Sequence, residues 1–205
     1  MYYVVVLTFI LNLQTLSDGQ VILFGNCTDV ETMKYFEIER FLGKWHQIER
    51  FPSWYEESGD CSYKLIEQCG RRIEFQHTYV KNRIQYVLHI NSSYAPGDEA
   101  VFYIPENNID PLGIPLSIIT TDYTNYAIVY GCTFNETSNL KHVVAWILSR
   151  NTTLQPDLLN KAYQELNVLP SGGIAYLEKV NQDDKSCYHN WSAHVYAEYY
   201  NSTVK

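Results

Sequence analysis

The sequence has few basic residues and few charged residues of either sign. Its 205 residues include 15 Lys and Arg against 23 Asp and Glu, which gives a formal net charge of −8. A nucleic-acid-binding domain normally presents a basic face, so this balance argues against that class of protein. Charged residues make up only 19% of the chain and hydrophobic residues 46%, which excludes an intrinsically disordered protein. The length predicts a single domain that buries a core without help from a metal.

No hydrophobic run is long enough to cross a membrane. The longest, residues 1–13, has about a dozen residues, whereas a bilayer span needs ~20. We interpret it as the apolar core of a secretory signal peptide over residues 1–19, with a buried strand as the alternative. The predicted domain then covers residues 20–187, and residues 188–205 are predicted to form a loose, polar, Tyr-rich tail. We expect no lipid anchor after it.

Cysteine is scarce, and its spacing does not suit a metal. The five residues are Cys27, Cys61, Cys69, Cys132 and Cys187. They contain no C-x-x-C pair, so we do not expect a structural zinc site. In an oxidising compartment four of them should form two disulfides and one should be left over, and the spacing alone leaves the pairing open.

Glycosylation sequons are more frequent than the composition predicts. With 15 Asn and 26 Ser and Thr, about two N-x-S/T triplets are expected by chance, and six are present. They begin at Asn26, Asn91, Asn135, Asn151, Asn190 and Asn201. This enrichment agrees with a signal peptide and predicts a secreted, extracellular glycoprotein whose occupied sequons lie on the surface.

The middle of the chain alternates between apolar and polar residues in short runs separated by turn residues. The runs predict eight strands, a pattern typical of an all-β sandwich or barrel. They lie near residues 43–51, 61–69, 72–79, 83–91, 99–105, 115–122, 125–133 and 141–149. The clearest alternation places Ile84, Tyr86 and Leu88 on one face of their strand. Apolar residues at helical spacing then predict a helix over 155–169, followed by a short ninth strand near 174–180.

Three short motifs occur in the order and spacing of one known family. Residues 42–48 read LGKWHQI and resemble the G-x-W block of the lipocalins. Residues 120–126 read TTDYTNY and resemble the T-D-Y-x-x-Y block, and residues 145–150 read AWILSR and resemble the third block, which ends in a basic residue. Within the lipocalins, the chain is most similar to the apolipoprotein D type and the insect Lazarillo and bilin-binding types. The resemblance implies an eight-stranded antiparallel up-and-down β-barrel with one C-terminal helix, which agrees with the strand pattern.

The resemblance also implies structural roles for the motif residues at the closed end of the barrel. Gly43 is expected to let the chain approach the barrel floor, and Trp45 is expected to fill that floor. Arg150 is expected to lie across the Trp45 ring in a cation–π contact. Asp122, which precedes Tyr123, is expected to bond the backbone of the neighbouring turn. These five residues therefore identify the fold rather than contact the ligand.

For the cysteines, the resemblance implies the bridges Cys27–Cys132 and Cys61–Cys187. Each bridge would close a long loop and so restrict the unfolded chain. Cys69 is then left over and is available for an intermolecular disulfide, so the oligomeric state stays open.

The residues that line the cavity follow from strand parity once the closed end is fixed. Because Arg150 faces the floor, alternate residues back along its strand share its inward side. If Cys132 faces outward to reach Cys27, the odd-numbered residues of the same strand, such as Ala127 and Val129, face inward. The predicted lining set is Trp146, Val144, Leu148, Val129, Ala127, Tyr86, Leu88, Ile84, Phe75 and Tyr63, with Trp54 and Tyr55 at the mouth. A β-bulge would shift several of these assignments together.

The function that the resemblance implies is a secreted carrier of one small hydrophobic ligand, such as a fatty acid, retinoid, sterol, pheromone or bilin. We expect no cofactor, metal or nucleic acid. One alternative is an extracellular recognition or stress-protective factor without a dedicated ligand, with a cell-surface receptor as candidate partner. Another is a haem carrier that uses one inward histidine. An enzyme is not expected, because catalysis would need an activated Cys69, and its neighbours Arg71 and Arg72 lie in a turn at the closed end.

Overall fold

The structure, a computed structural model, describes residues 20–53, 59–70, 72–94 and 100–199. The predicted signal peptide, residues 1–19, lies outside the described residues, as do Trp54, Tyr55 and the sequon at Asn201. Within the described ranges, no helix combines the length and the hydropathy needed to cross a bilayer.

The described chain forms eleven strands and two α-helices. The strands are β1 (Val21–Phe24), β2 (Gly43–Arg50), β3 (Asp60–Cys69), β4 (Arg72–Lys81), β5 (Ile84–Tyr94), β6 (Val101–Ile104), β7 (Ile114–Thr121), β8 (Tyr126–Asn135), β9 (Leu140–Ser149), β10 (Glu178–Lys179) and β11 (Trp191–Tyr196). The helices are α1 (Ile38–Phe41) and α2 (Pro156–Asn167), and a 3-10 turn covers Ile174–Tyr176. Strands β2 to β9 are the eight predicted strands. The predicted ninth strand is reduced to β10, because the 3-10 turn takes its first half.

Strands β2 to β9 form a closed antiparallel barrel. Each pairs with the next along the chain, and β2 also pairs with β9, which closes the cylinder. The register shifts at this seam, where Gln47 lies opposite Leu148 but Arg50, three residues further on, lies opposite Trp146. The bulge therefore places both Gln47 and Arg50 on the same face as Trp146.

Alternation along the barrel strands divides the apolar residues into an inner and an outer core. On β8, Ala127 and Val129 join the inner core, whereas Ile128 packs outward in the core beneath α2. Helix α2 buries Ala162 and Leu166, four residues apart, in this outer core. The helix thus supports one wall of the barrel without entering its interior.

Arg150 holds the closed end of the barrel together. Its Nε donates to the carbonyl oxygen of Tyr123 at 3.0 Å, Nη1 donates to that of Lys44 at 3.0 Å, and Nη2 donates to that of Arg40 at 2.9 Å. The guanidinium carbon also lies 3.7 Å from the centroid of the Trp45 ring. One side chain therefore joins three segments of backbone over a buried indole.

Two turns around Arg150 depend on specific local chemistry. Gly43 has a φ of +96°, a left-handed conformation that L side chains rarely adopt, and a Cβ there would face Arg150 Nη1 at 3.5 Å. Asp122 Oδ1 accepts hydrogen bonds from the backbone N–H groups of Thr124 at 3.0 Å and Asn125 at 2.7 Å. Burial alone would raise the pKa of the Asp122 carboxyl, but these and neighbouring hydrogen bonds outweigh it and lower the pKa below its ordinary value.

Two disulfides attach distant segments to the barrel. Cys27 is bonded to Cys132 with a Cα–Cα distance of 5.8 Å, which pins the N-terminal segment to β8. Cys61 is bonded to Cys187 with a Cα–Cα distance of 5.4 Å, which returns the chain after α2 to the start of β3. These are the two bridges that the family resemblance implies, and Cys69 is free and exposed.

The C-terminal segment is not a loose tail. Strand β11 pairs in parallel with β5, from Trp191 beside Ile84 to Tyr196 beside His89. The expectation of a loose tail is therefore wrong over this strand, because its partner lies about a hundred residues away and leaves no local signal. Strand β1 and helix α1 are not predicted from the sequence either, since four residues are too few to show a period.

Candidate functional site

The inner face of the barrel is apolar in its closed half. The inner core there includes Trp45, Ile66, Ile73, Phe75, Phe102, Ala127 and Leu148. The rings of Phe75 and Phe102 pack edge to face with centroids 5.2 Å apart. The lower part of the interior is therefore an apolar, aromatic surface.

Further up, the inner face carries a buried cationic group. Lys64 on β3 lies opposite His77 on β4, and Lys64 Nζ is 3.3 Å from His77 Nδ1. The same Nζ lies 4.1 Å from the centroid of the Trp146 ring. Lys64 is 5% exposed and His77 is 2% exposed, so water screens this ammonium far less than a surface one. A cation–π contact is worth ~2 kcal/mol when it is desolvated in this way.

Arg50 adds a second buried cationic group nearer the mouth. Its Nη1 donates to Ser62 Oγ at 3.0 Å and to Gln47 Oε1 at 3.4 Å. Its Nη2 donates to the carbonyl oxygen of Gly59 at 3.2 Å. These bonds fix the end of β2 to the start of β3 and place the guanidinium among polar partners on the inner side of the wall.

Stacked rings continue the inner face from His77 to the mouth. The rings of His77 and Tyr79 stack with centroids 5.7 Å apart, and those of Tyr79 and Tyr86 stack with centroids 5.1 Å apart. The backbone of Gly59 lies against Tyr79, since a Cβ at Gly59 would fall 2.3 Å from Tyr79 Cδ2. Only glycine fits there, and the close approach holds the Tyr79 ring in place.

Most of the predicted lining residues lie on the inner face. The inner core contains Trp146, Val144, Leu148, Val129, Ala127 and Phe75. The β4 partners of Ile84, Tyr86 and Leu88 share the parity of Phe75, so these three residues also lie on the inner face. Trp54 and Tyr55 lie outside the described residues. Contact of these side chains with a ligand stays a prediction.

Tyr63 lies on the outer face, so its predicted inward orientation is wrong. Tyr63 pairs with Thr78, whereas the next residue, Lys64, pairs with His77 and takes the inner position. On the outside, Lys44 Nζ lies 3.9 Å from the centroid of the Tyr63 ring. The sequence favours the aromatic residue as the buried one, but the register between β3 and β4 places its charged neighbour inside.

Four polar residues of the inner face are not among the predicted lining residues. Counting by two from Trp45 reaches Gln47, and counting by two from Phe75 reaches His77, so the sequence does hold a signal for these two. Lys64 is missed because the sequence favours Tyr63 as the inward residue of β3, which would put Lys64 on the outer face. Arg50 is hidden because the bulge in β2 changes the parity of its strand.

Asp110 and His142 form a second polar pair at the mouth. Asp110 lies in the loop between β6 and β7 and accepts a hydrogen bond from the backbone N–H of Leu112 at 3.2 Å. Burial raises the pKa of Asp110, although backbone hydrogen bonds and the nearby His142 oppose that shift. Burial lowers the pKa of His142, and Asp110 opposes that shift in turn. Desolvation therefore favours the neutral form of both groups.

The described ranges contain no group of three His, Cys, Asp or Glu side chains placed to bind a metal ion. The free Cys69 is exposed at the end of β3, with Sγ 3.9 Å from Glu74 Oε2. Cys69 is three residues beyond Ile66, which faces inward, so alternation along β3 places Cys69 on the outer face. This position does not suit a nucleophile that would act on a ligand in the interior.

One family profile covers the whole barrel. The lipocalin / cytosolic fatty-acid binding protein family matches residues 42–178, more than half of the chain. The chain belongs to the lipocalin family. Lipocalins are generally carrier proteins that bind small hydrophobic ligands rather than enzymes.

Sequence similarity to named relatives extends over most of this lipocalin. Apolipoprotein D of Mus musculus is 29% identical over 180 residues, which are 84% of this chain and 90% of the mouse protein. Insecticyanin-B of Manduca sexta is 26% identical over 146 residues, 69% of this chain and 71% of that protein. The solved structure of insecticyanin from the tobacco hornworm Manduca sexta superposes with a TM-score of 0.74 at 20% identity, over 88% of this chain and 98% of that one. At that identity the superposition shows the fold alone.

Proposed function

We propose that this lipocalin is a secreted carrier that binds one small hydrophobic ligand inside the barrel. A small-molecule site typically combines apolar walls with a few polar groups that fix the orientation of the ligand. The inner face follows that pattern, with apolar residues below and Lys64 and Arg50 above. The observation that carries the proposal is the buried Lys64 ammonium held against the inward face of Trp146.

The buried cations favour a ligand with an acidic head group. A carboxylate beside Lys64 would gain a charge-assisted hydrogen bond, which is roughly twice as strong as one between neutral groups. Arg50 lies on the same inner side of the wall. A neutral sterol would gain no ionic contact and would bring apolar surface against an ammonium. Fatty acids and acid-bearing retinoids or bilins are therefore favoured over sterols and neutral pheromones.

Secretion is supported by the covalent chemistry of the chain. Two disulfides suit an oxidising compartment. The sequon residues Asn26, Asn91, Asn151 and Asn190 are exposed, and Asn135 is half-buried. The described sequons are therefore placed where glycans can be accommodated on the outside of the barrel.

The test is a pair of calorimetric titrations of delipidated protein with palmitic acid and with palmityl alcohol. We expect one ligand per chain and tighter binding of the acid. Lys64→Met keeps the apolar volume of the side chain and should weaken binding of the acid by about tenfold, with little effect on the alcohol. Lys44→Met is the matched control, because that cation stacks on Tyr63 outside the barrel.

The two outcomes that oppose the proposal are distinct. If the wild-type protein binds neither the acid nor the alcohol, the carrier function is wrong. If the wild type binds both and Lys64→Met leaves both affinities unchanged, the carrier function stands and the preference for an acidic head group is wrong.

A haem carrier is the second candidate, because His77 is a histidine on the inner face. Titration with haem should then produce a Soret band that His77→Gln removes. The position of Lys64 Nζ 3.3 Å from His77 Nδ1 argues against this function, because an ammonium that donates to Nδ1 leaves the ring proton on Nε2, the nitrogen that would bind the iron. Organic extraction of the native protein followed by mass spectrometry would separate the cases, and the absence of any stoichiometric ligand would favour a recognition role.

A further inference from the structure

Strand β11 extends the barrel wall at the mouth. It pairs in parallel with the mouth half of β5, over Ile84 to His89. Strand β6 pairs with β5 only at Ser93 and Tyr94, nearer the closed end. The C-terminal strand therefore occupies the edge of β5 that its sequence neighbour β6 does not reach.

Three contacts hold this strand in place beyond its pairing with β5. The Cys61–Cys187 disulfide anchors the chain just before it. After the strand, the backbone N–H of Ala197 donates to the carbonyl oxygen of His89 at 2.9 Å, and that of Asn108 donates to the carbonyl oxygen of Glu198 at 3.1 Å. The C-terminal segment thus bridges β5 and the loop between β6 and β7, and it forms part of the wall.

The side chains of alternate β11 residues identify its outer face. Ser192 Oγ donates to Gln85 Oε1 at 2.9 Å, and the ring of Tyr196 stacks on that of His89 with centroids 4.3 Å apart. His194 Nδ1 is 2.9 Å from His89 Nε2. Gln85 and His89 have the outward parity of β5, so these three β11 residues face outward with them.

The opposite face of β11 continues the inner face of the barrel. In the register, Trp191, Ala193 and Val195 lie beside the inner-face residues of β5, which are Ile84, Tyr86 and Leu88. Ala197, the next residue of this parity, packs against the inner core. The apolar row of β5 and the stacked rings of Tyr79 and Tyr86 therefore extend sideways onto the C-terminal strand.

Two of these inner-face residues are exposed although they are large and apolar. Trp191 is 56% exposed and Val195 is 36% exposed. Exposed apolar surface that is continuous with a binding cavity is typical of a ligand-binding wall. Leu88 pairs with His77 at the level of Lys64, and Ile84 lies four residues nearer the mouth. The wall between these levels is ~13 Å long at ~3.3 Å per residue.

We propose that Trp191 is a ligand-binding residue that selects for the length of the ligand. This inference rests on the proposed carrier function. The occupant is an elongated acidic lipid whose apolar chain runs along the wall from the level of Lys64 to the mouth and covers the inner face of β11. Val195 lies beside Leu88 at the level of Lys64, so an acid of any length covers it. Trp191 lies ~13 Å nearer the mouth, so a short acid leaves it uncovered and a long acid buries it.

The experiment compares decanoic and arachidic acid binding to the full chain and its variants. Trp191→Ser should weaken binding of arachidic acid by about tenfold and leave decanoic acid binding nearly unchanged, because only the long chain loses buried apolar contact. Val195→Ser should weaken binding of both acids, because Val195 lies at the level of Lys64. Tyr196→Ser is the matched control, since it removes a ring from the outer face of the same strand. It should change the two affinities equally or not at all.

The readouts separate the possible failures. If the wild type binds neither acid, the proposed carrier function is wrong. If it binds both and Trp191→Ser changes the two affinities equally, as Tyr196→Ser does, the role of β11 in length selection is wrong and the carrier function stands. Light scattering tests the competing occupant, a second copy of this chain, because Trp191→Ser would then dissociate a dimer and leave both affinities unchanged, which also overturns the inference. Unfolding curves check that each variant is folded, and Trp191→Asp provides a second variant at the same position.

Discussion

The two ends of this barrel are built on different principles. At the closed end, one side chain, Arg150, joins the backbone at Arg40, Lys44 and Tyr123 above a buried Trp45 ring. At the mouth, the inner face carries charged and stacked polar side chains, and its wall is extended by a strand from the end of the chain.

This difference assigns stability to one end and recognition to the other. Every polar group of Arg150 that bonds at the floor bonds to backbone, so these contacts say little about a ligand. Lys64, His77 and Tyr79 instead contact other side chains, and a change of residue there alters the chemistry of the cavity while the fold is kept. The floor therefore carries the residues that identify the family, and the proposed ligand contacts lie in the mouth half.

The largest expected effect is the loss of stability on removing the floor arginine. Arg150→Ala should lower the free energy of unfolding by about 3 kcal/mol, because it deletes the cation–π contact and the hydrogen bonds that join three backbone segments. Urea unfolding measures the change, and ligand affinity below the transition should be nearly that of the wild type. Arg150→Lys should fall between the two. Unchanged stability with lost binding would reverse the roles assigned to the two ends.

A charge on the inner wall should weaken ligand binding more than it destabilises the closed end of the barrel. Val144 is buried in the inner core, and Val144→Asp should weaken binding of a fatty acid by about a hundredfold, because a carboxylate in an apolar cavity is costly and repels an acidic ligand. Val144→Asn has nearly the same shape without the charge and should lose less. Titration calorimetry provides the affinities. Wild-type affinity in folded Val144→Asp would show that β9 does not line the ligand site.

Adding a single methyl group at Gly59 should change the structure only at the mouth of the barrel. Gly59→Ala forces the Tyr79 ring to move, since the added Cβ would lie 2.3 Å from its Cδ2. We expect a loss of about 1–2 kcal/mol in unfolding free energy and a weaker affinity for long-chain ligands. Near-ultraviolet circular dichroism should report the altered tyrosine stack. A variant with wild-type stability and wild-type affinity would mean that this close approach has no functional weight.

The smallest expected effect is a decline of stability at mildly acidic pH. Burial, aided for His46 by the nearby Lys44, holds the pKa of His46 and of His142 below the ordinary value of ~6.5. As the pH falls, the unfolded chain takes up protons first, so this stabilisation is present above ~6.5 and is lost as the pH falls through the folded-state pKa of each histidine.

The free energy of unfolding should therefore decrease as the pH falls from about 7 to about 5. His46→Gln tests the outer side of β2 and His142→Gln tests the mouth, and each should flatten part of the decline. A steeper decline in either variant would contradict the sign of that shift.

The inner faces of β8 and β9 could be predicted from the sequence. Alternation on these strands is regular, and Arg150 at one end and Cys132 at the other indicate which face is which. Alternation also predicts the inner position of the row from Ile84 to Leu88, since β4 and β5 pair without a bulge that changes parity. For these elements a local period of two and one anchor were sufficient.

The mouth half required the tertiary structure. On β3, Tyr63 and Lys64 are adjacent, and alternation states that they lie on opposite faces without stating which one is inside. Pairing with β4 decides it in favour of Lys64. On β2, a single bulge turns Arg50 onto the inner face, and no local pattern signals it.

The sequence by itself determined the eight barrel strands, the helix after the barrel and the motif residues of the floor. It did so because a period of two, a helical period and a short motif are all local properties of the chain. Only the tertiary structure decided that residues 191–196 form a wall beside β5, because that pairing joins segments about a hundred residues apart. The edge of β5 that accepts this strand is left open because β6 pairs with β5 only at Ser93 and Tyr94, and that gap is a property of the closed barrel.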